Sequence, residues 1–306
     1  VAYHSGTEQT GAKGIILKYN SNLVLQIPPI DNMGEGSKQW AHSYKGVIDD
    51  KNRLYVIGIT DGAGVKSHNT CRVLVACFSP SGKREWAKQY GCCAAWQGTD
   101  SDYHLCLASG NILYAVGNCT PSSDPTNKNG TNAIVAKLDL NTGNLIWEKQ
   151  GFQQEISDNH HPRGAVVDVS GNLWITAELD PHSGHQQWTM CALTPNGEPY
   201  FTGEAQGDGD DGKSTCGVTL APDNSLFFIG SVFKKEATTG KPDRVFCVEH
   251  VDTFGNQINP LYSKSPHGSD FAKCFLVLNG SLLVAGQSGS EEKADMVVWK
   301  WGRESY

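Results

Sequence analysis

The stretch GVIDDKNRLYVIG, residues 46–58, decides the fold, because it joins two apolar runs through a short polar turn. Branched and aromatic residues on both sides of turn residues are typical of a β-hairpin. The same phrase recurs in four further stretches: HLCLASGNILYAVG, AVVDVSGNLWITA, VTLAPDNSLFFIG and CFLVLNGSLLVAG. Equivalent leucines stand 59, 60, 53 and 56 residues apart, at Leu54, Leu113, Leu173, Leu226 and Leu282. The chain is therefore built from a repeated hairpin.

A second hairpin follows each copy except the last. Its four occurrences are RVLVACFSPSGKREWAKQYG, AIVAKLDLNTGNLIWEKQG, WTMCALTPNGEPYFTG and VFCVEHVDTFGNQINPLY. Four strands per repeat, at this spacing, predict the blades of a β-propeller. We therefore predict an all-β fold, a single β-propeller domain over residues 1–306 with four-stranded antiparallel blades. The predicted units span about residues 46–102, 103–163, 164–214, 215–270 and 271–306.

The two ends of the chain leave the number of blades open. The opening VAYHSGTEQTGAKGIILKYN aligns with VAGQSGSEEKADMVVWKWGR, so both terminal units are incomplete. Five blades are favoured and six are the alternative. Residues 1–45 then form a partial unit, and LVLQI at 23–27 supplies the missing outer strand that closes the ring. Alternatively, the first strands are donated to a neighbouring subunit, which predicts self-association through the terminal strands.

Composition excludes several classes of partner. The formal charge of −7 is spread along the chain without a basic block, which argues against nucleic acid as a partner. No apolar run approaches the roughly 18 residues that a membrane-spanning helix needs, so we expect no membrane insertion. With 34 Gly, 13 Pro and 39 % hydrophobic residues, the chain is rich in turns. These features fit an all-β protein.

Cysteine usage bears on the compartment. Ten cysteines without a CxxC pair are typical of a disulfide-bonded extracellular protein. Acceptor triplets for N-glycosylation at Asn118, Asn129 and Asn279 point the same way. We therefore predict a secreted glycoprotein, extracellular or at the cell surface. The alternative is a cytosolic protein whose thiols lie buried in strands, at Cys77, Cys106, Cys191, Cys247 and Cys274.

The segment from Asn132 to Asp180 carries a family resemblance. It has an apolar run into Leu-Asp, a Thr-Gly turn, a Trp, and then Val-Asp-x-x-Gly-Asn before the next strand. In these features it resembles the SBBP β-propeller repeat, and weaker copies cover residues 13–289. The resemblance implies a propeller in an extracellular or cell-surface protein, and it implies no reaction. The family name refers to seven blades, whereas this chain has five hairpin pairs.

A weaker resemblance concerns LDLNTGNLIW, residues 138–147, and the adjacent Cys92 and Cys93. The first is similar to the repeat of quinoprotein dehydrogenases, and some of those enzymes place a disulfide between adjacent cysteines against the cofactor. That family uses a larger ring, usually of eight blades. The alternative is that Cys92 and Cys93 bridge to different partners among Cys71, Cys106 and Cys119. The chain has no GxSxG, P-loop or HExxH motif.

Loop lengths indicate where a site would lie. One set of turns is short, such as VSGN and TPNG, whereas the links at the other ends of the strands are long and varied. Function is expected on the long-loop side, because loops carry specificity. One such loop places Trp96 near Asp100, Asp102 and His104. An aromatic ring that stacks on a sugar, with carboxylates for its hydroxyls, predicts glycan binding.

Two further groups are candidate metal ligands. GDGDDG at 207–212 supplies Asp208, Asp210 and Asp211, which could bind calcium or, alternatively, form a hydrogen-bonded link without metal. His160 and His161 in one link and His182 and His185 in another could bind zinc or serve as acid and base toward a sugar. Solvent-exposed loop histidines are the alternative.

These patterns lead to two functional hypotheses. The first is a secreted, non-catalytic propeller with a lectin-like, adhesive or structural role, whose partners are glycans or other protein subunits. The alternative is a polysaccharide-active enzyme, a hydrolase or lyase, that uses carboxylates or histidine on the long-loop side. The first is the prediction, because no pair of carboxylates can be shown to converge from the sequence.

Overall fold

The structure is a computed structural model that describes residues 2–5, 13–16, 41–60, 71–93, 104–119, 132–150, 159–180, 187–205, 214–221, 223–235, 242–263, 270–290 and 293–302. Every regular element in these residues is a β-strand, which confirms the all-β prediction. None of the described segments is a helix that could cross a membrane.

The strands form five consecutive antiparallel sheets after a short N-terminal hairpin. The hairpin pairs β1 (Ala2–Ser5) with β2 (Lys13–Ile16). The first sheet contains β3 (Ala41–Ile48), β4 (Leu54–Thr60), β5 (Cys71–Phe78) and β6 (Arg84–Cys93). The second contains β7 (His104–Ala108), β8 (Ile112–Cys119), β9 (Asn132–Asp139) and β10 (Leu145–Gln150).

The remaining three sheets repeat this order. The third contains β11 (Asn159–Val167), β12 (Leu173–Asp180), β13 (Gln187–Leu193) and β14 (Pro199–Glu204). The fourth contains β15 (Ser214–Leu220), β16 (Leu226–Lys235), β17 (Pro242–Val251) and β18 (Gln257–Tyr262). The fifth contains β19 (Asp270–Leu278), β20 (Ser281–Ser290) and β21 (Lys293–Trp301). The predicted hairpin pairs are therefore confirmed.

Each sheet has two unlike ends. We call the end where the first strand joins the second the turn end, and the opposite end the loop end. Aspartates hold several of the turns: Asp168 accepts hydrogen bonds from the backbone N–H groups of Ser170 and Asn172, at 2.8 and 2.9 Å. Its other oxygen accepts a 2.8 Å hydrogen bond from Trp174 Nε1. A short polar side chain that closes its own turn explains the choice of Asp at these places.

The chain divides into two compact units, which we call unit one (Val1–Ile156) and unit two (Ser157–Tyr306). In unit one the first and second sheets pack face to face. Tyr55, Ile57 and Val75 of the first sheet share a buried cluster with Leu113 and Ile134 of the second. Alternating apolar side chains place these residues on one face of each sheet, and burying that face drives the packing.

Unit two has two such interfaces. Trp174 and Trp188 of the third sheet pack on Phe228 of the fourth, and all three side chains are fully buried. Phe227 and Phe246 on the other face of the fourth sheet pack towards the fifth sheet. Truncating a fully buried aromatic of this kind costs about 3–5 kcal/mol. Sheets stacked in this way fit propeller blades.

The fifth sheet has three strands rather than four. Within the described ranges no strand pairs with the outer edge of β21, where the sequence analysis places LVLQI. Residues 23–27 lie outside the described residues, so the closing strand, the blade count of five or six and the single-domain organisation stay predictions. The N-terminal hairpin forms as the alignment of the two chain ends predicts, with β1 antiparallel to β2.

Candidate functional site

The first strand of four sheets carries a β-bulge near its loop end. The register shifts between Ser43 and Lys45, between Pro162 and Gly164, between Thr215 and Gly217, and between Ala272 and Cys274. The inserted residues are Tyr44, Arg163, Cys216 and Lys273. Bulges recur beside active sites, because the extra residue redirects a side chain. The bulge positions in unit two therefore point to a candidate site.

Arg163, the inserted residue of β11, forms an ion pair with Glu178 of β12. Its Nη2 and Nε lie 2.7 and 2.9 Å from Glu178 Oε2. The side chains are only 17 % and 11 % exposed. The second carboxylate oxygen, Oε1, accepts a hydrogen bond of 3.2 Å from the backbone N–H of Thr215 in the fourth sheet. Donors on both oxygens hold the carboxylate between two sheets.

His161 lies beside this ion pair. It stands directly opposite Glu178 in the antiparallel register of β11 and β12. Residues paired in this way have Cβ atoms about 4.5–5.5 Å apart on the same face of the sheet. The imidazole is partly exposed. A histidine, an arginine and a carboxylate are therefore gathered near the loop end of the third sheet.

A buried layer of hydroxyl groups supports the ion pair. Thr176 Oγ1 lies 3.0 Å from Thr215 Oγ1 and accepts a 2.7 Å hydrogen bond from Trp188 Nε1. Thr215 Oγ1 in turn donates to the carbonyl oxygen of Ile229 at 3.1 Å. This network crosses from the third to the fourth sheet in the core. It fixes Thr215, whose N–H reaches Glu178, and so limits the freedom of the carboxylate.

Arg244 adds a second guanidinium in unit two. Its central carbon lies 5.2 Å from the ring centroid of Phe233 and 4.3 Å from that of Phe271. Burial lowers the pKa of Arg244, and the negative charge of Glu178 opposes that shift. An arginine remains charged in this setting. Arg244 is thus held by two aromatic rings within the electrostatic influence of the ion pair.

Most of the predicted site residues fall outside the described residues. This holds for Trp96, Asp100, Asp102, Asp208, Asp210, Asp211, His182, His185 and Asn129. The calcium and zinc hypotheses that depend on them stay predictions. Among the residues that the structure does describe, no three His, Cys, Asp or Glu side chains are gathered so that they could hold a metal ion.

His104 begins β7, as the hairpin HLCLASGNILYAVG predicts, and is 7 % exposed. The Nζ atom of Lys45 lies 3.1 Å from its Nδ1 and 3.3 Å from its Nε2. Because Trp96, Asp100 and Asp102 lie outside the described residues, glycan binding by this group stays a prediction.

His160 and His161 require a correction of their position. Both are expected in a link, whereas β11 begins at Asn159 and includes both. The bulge between Pro162 and Gly164 accounts for the difference, because it lets the strand continue past a proline. Asn118 also lies in a strand, at β8.

Asn279 has a turn function of its own. It and Gly280 form the two-residue turn between β19 and β20, with φ angles of 49° and 73°. Two positive φ angles match the asparagine–glycine hairpin turn, which explains this pair without a glycan. Asn279 is exposed. Glycosylation at Asn118, Asn129 and Asn279 stays a prediction.

The cysteines correct the expectation of a disulfide framework in the described part of the chain. Cys77, Cys106 and Cys191 are buried free thiols and Cys274 is an exposed one, and Cys216 and Cys247 are thiols as well. Burial raises the pKa of Cys106 and of Cys191 to about 12. These side chains pack in strands as small apolar groups. Cys71, Cys92, Cys93 and Cys119 lie where side chains are not described.

Arg163, Glu178 and Arg244 are not among the residues that the sequence patterns single out. Each is a charged residue inside or beside an apolar run, as in LWITAELD and DRVFCVEHV. A charge in a strand that is otherwise apolar indicates a paired or functional group, because an isolated buried charge is costly. That signal was present in the sequence.

Comparison with known proteins identifies the fold. No family model matches the chain, and neither does any curated protein sequence. Among solved structures, ulvan lyase, a polysaccharide lyase, matches with a TM-score of 0.62 at 11 % identity, over 98 % of this chain and 74 % of that one. The same enzyme bound to -[GlcA(1-4)Rha3S]- matches with a TM-score of 0.61 at 10 % identity, over 96 % and 70 % of the two chains. The architecture is therefore of the propeller type, whereas the SBBP family itself is not shown.

A third structure of the same fold is a variant of puromycin hydrolase. It matches with a TM-score of 0.54 at 10 % identity, over 97 % of this chain and 40 % of that one. The comparison corrects the prediction of a non-catalytic binding or structural role. That prediction is wrong, because the structures that share the fold, ulvan lyase and puromycin hydrolase, are enzymes.

Proposed function

We propose that this protein is a polysaccharide-active enzyme, a hydrolase or a lyase, whose reacting groups lie at the loop end of the third sheet. The observation that carries the proposal is the placement of Arg163, Glu178 and His161 beside the bulge in β11. The shared fold with ulvan lyase supports it. The proposal needs a proton-transferring group and a charge that stabilises the transition state, and these three residues include both kinds.

The contacts of Glu178 favour elimination over hydrolysis. Hydrolysis of a glycosidic bond uses two carboxyl groups, and one of them must be protonated in order to donate to the leaving oxygen. Both oxygens of Glu178 are already engaged by donors within the protein, Arg163 and the backbone N–H of Thr215. Another carboxylate of unit two, Asp270, is fully buried and accepts a hydrogen bond from Ser263, so it is not exposed to a substrate.

An eliminative reaction requires less of this site. A base removes the proton beside the carboxylate of a uronic acid, the bond from the neighbouring carbon to the glycosidic oxygen breaks, and a carbon–carbon double bond forms. The departing oxygen receives a proton, so no water is added and no oxidant is needed. His161 is the candidate base, and Arg163 is the cation that stabilises negative charge on the uronate. Glu178 is a positioning residue for Arg163.

A panel of purified polysaccharides tests the proposal. The protein is incubated with neutral and acidic polymers, and two products are measured: new reducing ends, which both reactions generate, and absorbance of the unsaturated sugar, which only elimination generates. We expect reducing ends together with the unsaturated product. Reducing ends alone would identify a hydrolase. A panel without reducing ends in any arm would overturn the proposal.

Variants connect the activity with the residues. We expect His161→Ala to lower kcat by about a hundredfold or more, the usual size of a general-base effect, with KM little changed. A matched control is His250→Ala in the same unit, because His250 lies in β17 near the turn end and is 3 % exposed. If His161→Ala retains full kcat, as the control is expected to do, His161 is not the base.

A further inference from the structure

Around Phe271, two cations gather on one aromatic ring. The central guanidinium carbon of Arg244 lies 4.3 Å from the Phe271 centroid, and Lys273 Nζ lies 5.7 Å from it. Lys273 is the residue inserted by the bulge in β19, and it is exposed. The two cations come from the fourth and fifth sheets of unit two. The ring therefore organises a positive group at a place that solvent reaches.

The surroundings hold Arg244 in a defined orientation. Phe233 stands opposite Arg244 in the register of β16 and β17, and its ring centroid is 5.2 Å from the guanidinium carbon. Two aromatic contacts hold the guanidinium in place. The planar fork of N–H donors of an arginine matches the geometry of a carboxylate or sulfate group, and an ammonium nearby adds a second donor.

Electrostatics favours an anion near these two groups. Two like charges close to one ring repel each other, and an anion bound near both reduces that repulsion. Glu178 influences Arg244, and both of its oxygens accept hydrogen bonds from Arg163 and Thr215. An anionic ligand near Phe271 would gain from both cations.

We propose that Arg244 and Lys273, gathered around Phe271, bind the anionic groups of an acidic polysaccharide, a uronate carboxylate or a sulfate ester. This inference rests on the proposed function, because it names the substrate class of the same unit. It predicts binding that depends on charge along the polymer and that weakens as salt screens the interaction.

Binding without turnover tests the inference. Affinity of the full chain is measured by calorimetry for polygalacturonate and its fully methyl-esterified form, and for dextran sulfate and dextran. Each pair differs only in the anionic group. We expect at least tenfold tighter binding of one charged polymer than of its uncharged counterpart. Preference for polygalacturonate identifies the carboxylate, and preference for dextran sulfate alone identifies the sulfate ester. Equal affinities within both pairs would overturn the inference.

Variants separate a site from general attraction. Lys273→Gln changes an exposed residue and is expected to fold, and Arg244→Gln is the second variant, with its fold checked by thermal unfolding. We expect Lys273→Gln to weaken binding about fivefold to tenfold. The matched control is Lys83→Gln, the same charge change at an exposed lysine in the turn between β5 and β6 of unit one. Equal losses in Lys273→Gln and Lys83→Gln would show attraction to the whole surface and refute the site.

The two proposals fail in different ways. Charge-dependent binding that requires Lys273, without any cleavage product, would retain this inference and overturn the enzymatic function. Cleavage of neutral polymers, with no preference for charged ones, would retain the enzymatic function and overturn this inference.

Discussion

The residue three places after each repeated leucine pairs with a residue of the first strand of its sheet. In unit one those partners are Lys45 and His104, whereas in unit two they are Gly164 and Gly217. In unit one the two side chains meet, with Lys45 Nζ 3.1 Å from His104 Nδ1. In unit two the backbones meet, because a Cβ on Gly164 would lie 2.6 Å from the Cα of Gly217. The same register position is therefore occupied by a pair of polar side chains in unit one and by glycines in backbone contact in unit two.

The register of the repeat and the contact between its first strands therefore have separate causes. Pairing within a sheet follows the alternation of apolar residues, which both units share. Where this position is glycine, as in unit two, the first strands of consecutive sheets come into backbone contact. Close contact in unit two brings the backbone N–H of Thr215 to Glu178 at 3.2 Å.

The largest expected effect comes from filling the glycine contact. Gly164→Ala places a methyl group against backbone atoms that cannot rotate away, so we expect a loss of about 2–3 kcal/mol in the free energy of unfolding. Denaturant unfolding measures it. Gly302→Ala is the control, because no atom lies within 4 Å of its Cβ position. A stability unchanged by Gly164→Ala would show that the third and fourth sheets can separate at no cost.

A second experiment compares two ion pairs of similar burial. Arg163–Glu178 lies near the loop end in unit two, and Arg53–Asp49 lies at the turn end in unit one with side chains 11 % and 4 % exposed. Removing one partner leaves a mostly buried carboxylate, so we expect Arg163→Met and Arg53→Met each to cost about 2 kcal/mol. Only Arg163→Met should also abolish cleavage of polysaccharide. Equal loss of activity in the two variants would break the functional distinction.

Acid should affect the two units over different pH ranges. In unit two, burial lowers the pKa of His250 against the charges of Asp223 and Asp252. Its contribution to stability is therefore present above the unfolded pKa of about 6.5 and is lost as the pH falls towards the lowered folded value. In unit one, burial acts to raise the pKa of Asp49, but hydrogen bonds from Arg53 and Tyr55 outweigh it and the pKa is lowered.

The contribution of Asp49 is thus complete above its unfolded pKa of about 3.9 and is lost below it. Hydrogen exchange at pH 7, 5.5 and 4 should show protection falling in unit two before unit one. His250→Gln removes the titrating group, and we expect it to flatten the pH dependence of unit two between pH 7 and 5.5. Simultaneous loss of protection in both units would contradict this order.

The smallest effect concerns Cys274, which stands at the same register position as the glycines but in the fifth sheet. Its thiol is exposed, whereas Cys77, Cys106 and Cys191 are buried. We expect a thiol reagent to modify Cys274 in the native protein, with little change in stability. The other three should react only after unfolding, as peptide mass spectrometry would show. Native modification of Cys106 would contradict its burial.

The sequence was sufficient to predict the hairpins and their order, because apolar alternation and turn residues recur in every copy. It was insufficient for the bulges, since one inserted residue leaves the alternation intact on both sides. For that reason His161 and Arg163 read as parts of a link. Arg244 was missed because its partners, Phe233 and Phe271, come from other strands, and only folding brings them to its guanidinium.

The bulges in the first strands keep one backbone geometry while the inserted side chain differs from sheet to sheet. The same register shift holds Arg163, Cys216 and Lys273 in three consecutive sheets of unit two, so the position tolerates a cation or a thiol. A substitution at these positions therefore changes the side chain at the loop end while the pairing of the strands is kept. A combinatorial library restricted to these three codons would sample new recognition chemistry while the scaffold stays constant.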